Sequence, residues 1–110
     1  MEKRGKFLRV YFFEGPEDPK VEDAWNDVYN AEHVPLVVHH RSEVIRGYRY
    51  VAVEREGNAP KYLTVYELDS PEQTITPEGA ELIRQHHLTR LTMPSRGTGR
   101  GVYRQIYPRE

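Results

Sequence analysis

An α+β domain with the element order β-α-β-β-α-β is what this sequence predicts. Three observations carry the prediction. Four segments alternate with the period of a strand, two carry apolar residues at helical spacing, and each helical pattern opens on a cap residue followed by proline.

The first strand is expected over Phe7 to Glu14, with Leu8, Val10 and Phe12 on one face and Phe7, Arg9, Tyr11 and Phe13 on the other. Gly15 to Pro19 breaks it, Asp18 is a suitable N-cap and Pro19 suits the first helical position. Val21, Ala24, Trp25, Val28 and Tyr29 then form one apolar helical stripe. One further turn reaches His33, so Trp25, Tyr29 and His33 are expected along one edge of the buried face. Pro35 disfavours helical geometry at Val34, which places the helix end near His33 and makes Leu36 to Ser42 a short apolar connection. A second strand is expected from Val44 to Glu54 and a third from Lys61 to Asp69, joined by the turn residues Glu56 to Pro60. Thr76-Pro77 opens the second helix, with Ala80, Ile83, His87, Leu88 and Leu91 as its inner stripe and Pro94 as its end. Ser95 to Gly101 reads as a Gly-rich loop, and Val102 to Tyr107 as the last strand.

This order is the split β-α-β arrangement of ferredoxin-like domains, two helices over one face of a four-stranded antiparallel sheet. The more aliphatic side of each strand is expected under the helices: Leu8, Val10, Phe12, Ile45, Val51, Val53, Leu63, Val65, Val102 and Ile106. That leaves the tyrosine-rich side facing outward, where so much aromatic surface calls for a partner or a ligand.

A chain of 110 residues is expected to be one domain, small enough to gain from self-association. Its 16 Lys and Arg nearly balance 17 Asp and Glu, without the basic excess of a nucleic-acid binder or of a protein held on an anionic membrane. The absence of cysteine excludes disulfides, thiolate nucleophiles and thiolate metal sites. Neither a signal peptide nor a membrane-spanning run is legible, so a cytoplasmic location is the expectation.

The stretch Asn26-Asp27-Val28-Tyr29-Asn30-Ala31-Glu32-His33-Val34-Pro35 resembles the Asn-x-Trp-Tyr-x-x-Glu-His-x-Pro signature of EthD-like proteins in the dimeric α+β barrel superfamily. Gly47-Tyr48-Arg49-Tyr50, Lys61 to Leu68 and Gly101 to Tyr107 are similar to its later strands, in the same order. Val28 departs from the signature by standing where it has Trp. The resemblance implies a homodimer whose sheets pack face to face, with a pocket in each subunit between sheet and helices. It also implies a choice of chemistries, among them lactone isomerisation, polyketide cyclisation, lyase reactions and oxygenation.

Among candidate catalytic residues His33 leads, because imidazole takes and gives protons near neutrality. Tyr29 lies beside it on the stripe, and Asn30 is placed to donate to an oxyanion. Adjacent helical residues diverge, so Glu32 is expected to turn away. Tyr11, Tyr48, Tyr50, Tyr62 and Tyr66 are candidates for stacking on a hydrophobic or aromatic carbonyl ligand, and Arg49 and Arg9 offer planar forks for a carboxylate. The adjacent pairs His39-His40 and His86-His87 do not make a three-ligand metal set. The expected activity is a cofactor-free isomerase, cyclase or lyase. A non-catalytic ligand-binding module and a haem-binding oxygenase-type barrel are the alternatives.

Overall fold

The computed structural model describes residues 5–86 and 97–108. Strands β1 (Phe7–Phe13), β2 (Val44–Val51), β3 (Tyr62–Leu68) and β4 (Gly97–Arg104) form one sheet in the order β2-β3-β1-β4. Every pairing is antiparallel. With helices α1 (Pro19–Val28), α2 (Val34–His40) and α3 (Pro77–His86), the chain is α+β and compatible with a ferredoxin-like fold. Residues His87, Leu88, Leu91, Pro94 and Ser95, named above for the second helix and the loop after it, lie outside the described residues.

Both helix starts follow the cap chemistry. The Asp18 side chain accepts from the Lys20 amide at 2.9 Å and Pro19 opens α1. Thr76 Oγ1 accepts from the Gly79 amide at 3.0 Å and Pro77 opens α3. Trp25 and Tyr29 are buried at 4% exposure each, whereas Ala24 of the same predicted stripe is exposed.

Three expectations are corrected. First, the chain does not leave helical geometry at Pro35. A π-helical turn spans Tyr29–His33, the Val34 amide donates to the Tyr29 carbonyl, and α2 follows through Val34–His40. Pro35 has no N–H for the Ala31 carbonyl and its ring needs room there. Widening the turn just before the proline meets both demands without breaking the helix. Second, Gly97 to Gly101 is strand and not loop: Gly97, Gly99, Arg100 and Gly101 pair with Phe13, Phe12, Tyr11 and Val10 of β1. The ladder needs only backbone groups, so the glycines weaken that strand without preventing it.

The third correction concerns the sheet faces. Helix residues Trp25, Tyr29, Val34, Val37 and Ile83 pack on the side that carries Phe7, Tyr11, Phe13, Tyr62, Tyr66 and Leu68. The covered face is therefore the aromatic one, with Arg9 at 3% and Thr64 at 0% exposure among the rings. Leu8, Tyr48, Tyr50 and Tyr103 stand 37 to 53% exposed on the other face, beside Phe12, Leu63 and Val65. Aromatic rings bury more area per residue than aliphatic side chains and fill the wide gap under the helices. Alternation within a strand gives two sets of residues, but which set faces the helices depends on pairing between strands. Here a bulge between Val44 and Arg46 also shifts the phase of β2.

Gly47 lets α2 and the sheet approach. A Cβ at this position would sit 2.7 Å from Val34 Cγ1 and 2.9 Å from Tyr66 Cε1. Any side chain would push helix and ring apart, and Tyr66 lines the cavity described next.

Candidate functional site

Under the helices lies a cavity of about 90 Å³ lined by Arg9, Tyr11, Phe13, Tyr29, His33, Val37, Arg41, Tyr66 and Ile83. Strand β1 contributes Arg9, Tyr11 and Phe13, which fall on one face by the period of two. The π turn contributes Tyr29 and His33, and α2 contributes Val37. The His33 ring, 6% exposed, meets the Tyr29 ring edge-on at a centroid distance of 5.0 Å. Tyr11 meets Tyr66 edge-on at 6.2 Å and stacks on Phe13 at 6.4 Å. The Tyr66 hydroxyl is buried and makes no hydrogen bond among the described residues.

Burial sets the protonation of these phenols. It pushes Tyr29 up to about 12, the neighbouring Thr64 hydroxyl and Arg49 pulling slightly the other way. Burial likewise raises Tyr66, reinforced by the phenols of Tyr29 and Tyr11. At neutral pH both are hydrogen-bond donors and neither is a base.

Arg9 is tied from behind. Its Nη1 donates to Glu43 Oε2 at 2.9 Å, and both side chains are almost wholly buried. Burial alone would raise the Glu43 carboxyl, but the bonds from Thr74 and Arg9 outweigh it and hold the group below the ordinary carboxylate range. The Thr74 amide and hydroxyl both donate to Glu43 Oε1, at 3.0 and 2.6 Å. Arg41, the C-cap residue of α2, is half-buried at the same cavity and donates to the Thr74 carbonyl at 3.5 Å. Among the described lining residues none is acidic.

Five of the ten residues singled out from the sequence thus meet here: His33, Tyr29, Tyr11, Tyr66 and Arg9. Asn30, Arg49 and Tyr62, with Tyr50, line a separate, open depression of about 340 Å³. There the Arg49 guanidinium lies 4.1 Å from the Tyr29 ring centroid and 4.9 Å from that of Trp25, and its Nη1 donates to Asn30 Oδ1 at 2.9 Å. The Tyr62 hydroxyl donates to Glu22 at 2.7 Å and accepts from Asn26 at 3.1 Å. Tyr48 projects from the far face of the sheet, as does the Tyr50 ring beside it. Glu32 is half-buried and does not line the cavity, and Val28 packs against the Trp25, Tyr29 and Tyr62 cluster instead of the cavity wall.

No family model, curated protein or solved structure matches this chain. The site therefore stands on its own geometry. No three His, Asp or Glu side chains among the described residues gather as a metal would need, and no helix among them is long and apolar enough to cross a membrane.

Proposed function

We propose that the chain is an EthD-like enzyme that moves a proton on a small carbonyl compound without a cofactor, with His33 as the proton carrier. The single observation behind this reading is a buried imidazole on the wall of a cavity that also holds a Tyr66 hydroxyl with no hydrogen bond among the described residues. In the proposed step His33 removes a proton from the carbon next to the carbonyl. The electron pair of that C–H bond moves onto the carbonyl oxygen, and the Tyr66 hydroxyl donates a hydrogen bond to the resulting enolate. Returning the proton to a different carbon isomerises the substrate, and attack by the enolate carbon on a second carbonyl of the same molecule cyclises it.

The enclosed space is smaller than the roughly 150 Å³ cavity known to hold benzene. It suits the carbonyl end of a ligand whose hydrophobic remainder lies outside, and a porphyrin does not fit it. The test is deuterium wash-in. Acetoacetate, phenylpyruvate and benzoylacetone are incubated with the protein in D2O and the α-proton signal is followed by NMR. Exchange that scales with protein concentration above the buffer rate is expected. Exchange at the buffer rate for all three would count against the proposal.

The second part of the proposal is a homodimer built on the open sheet face. It is supported by the contiguous Leu8, Phe12, Tyr48, Tyr50, Leu63, Val65 and Tyr103 surface, which a lone subunit would leave in water. A light-scattering mass of two chains at micromolar concentration is expected, and Val65→Lys should shift it to one chain while the fold persists by circular dichroism. A wild-type mass of one chain would sink this part.

A further inference from the structure

We infer that the cavity selects a ligand carrying a carboxylate, with Arg9 and Arg41 as the groups that hold it. The inference rests on the same cavity as the proton-transfer reading and names its substrate class. Three observations lead to it. Arg9 is 97% removed from solvent yet lines the cavity, and the hydrogen bond it makes among the described residues engages Nη1 alone. No acidic side chain stands among the described residues that line the same cavity. Arg41 adds a second guanidinium to the same wall. The Tyr66 hydroxyl, on a residue 2% exposed and without a hydrogen bond among the described residues, supplies a neutral donor at the same place.

A buried guanidinium is costly to desolvate, and a carboxylate on one nitrogen uses only part of its five-donor fork. A carboxylate entering the cavity would meet two guanidinium groups, whose planar fork fits its two oxygens best. Neutral carbonyl compounds would leave two cations facing an apolar ligand. The arrangement also separates duties within the small volume: guanidinium for the acid group, phenol for the adjacent oxygen, imidazole for the proton. A β-keto or α-keto acid presents these two oxygen functions one or two carbons apart.

The test uses matched probes that differ in charge but hardly in shape: acetoacetate against acetoacetamide, and benzoate against benzamide. Binding to the full chain is read by amide chemical shifts in a nitrogen-15 spectrum. Each acid is expected to bind about tenfold or more tightly than its amide. Arg41→Gln, at a half-buried position, should cut that preference, and Arg9→Lys should cut it further by keeping the charge and losing the fork. Arg55→Gln, in the loop beyond β2, should leave it intact. Equal binding of acid and amide, no binding of either, or a preference that survives both Arg41→Gln and Arg9→Lys would each overturn the inference. The two readings fail separately. Equal binding with proton exchange intact removes only the carboxylate, and an acid preference without exchange removes only the chemistry.

Discussion

Replacing Arg9 by methionine is expected to lower stability by about 3–5 kcal/mol, because it leaves the Glu43 carboxylate buried without its cation. The methionine keeps the apolar stem of the arginine, so lost packing contributes little. What remains on Glu43 is the pair of Thr74 donors, both on Oε1, while Oε2 loses its partner. The sign of the pH dependence follows. In the wild type the folded-state pKa of Glu43 lies below its unfolded value. The stability it contributes is present above the ordinary carboxylate pKa of about 4.3 and is lost as pH falls through the folded value. Without Arg9 one of the bonds that lower the carboxyl is gone while burial still raises it, so the folded value lies higher than in the wild type. The variant therefore has less to lose through this group on acidification, and the gap between the two proteins should narrow as pH falls from neutral to pH 4. Urea melts at the two pH values measure it. Arg9→Met with Glu43→Gln should recover part of the loss at neutral pH, because an amide is cheaper to bury than an unpaired carboxylate. A single variant as stable as the wild type would show that the ion pair contributes nothing.

The buried pair also shows where sequence reading stops. The strand of Arg9 is visible from alternation, and the position of Arg9 among Phe7, Tyr11 and Phe13 on one face is visible with it. Its partner Glu43 lies 34 residues away at the start of the second strand, and nothing local links the two. Helix starts are the opposite case. Asp18-Pro19 and Thr76-Pro77 act through atoms two or three residues away, so the caps are read directly. Pro35 was a misleading signal, since one π turn absorbs the missing N–H and the helix runs on to His40. Arg41 owes its place at the cavity to that continuation, and a helix ending at His33 would not set it there. The tyrosines divide by strand phase. Tyr62 and Tyr66 go under the helices and Tyr48 and Tyr50 away from them, a distinction that only the β2–β3 register decides.

The largest expected effect on activity belongs to His33→Gln. If His33 carries the proton, deuterium wash-in should slow by about 10²–10⁴-fold, the range for removing a positioned acid–base group. Glutamine approximates the imidazole in size and keeps a polar end but does not ionise, so binding of acetoacetate should remain near the wild-type level. This separates proton transfer from ligand recognition. The substitution also removes the edge-on contact with Tyr29, whose ring centroid lies 5.0 Å away. A thermal melt beside the rate measurement keeps a folding loss from passing as a catalytic one. Tyr29 and Tyr66 do not take over as bases, since burial keeps both phenols protonated well beyond neutral pH. In a separate His33→Gly variant, which vacates the side-chain volume, added free imidazole should restore part of the exchange, an effect that a purely structural histidine would not show. Exchange in His33→Gln at the wild-type rate would remove His33 from the chemistry. The Tyr66 hydroxyl would then be left as a donor for ligand binding, in a cavity whose remaining chemistry is recognition.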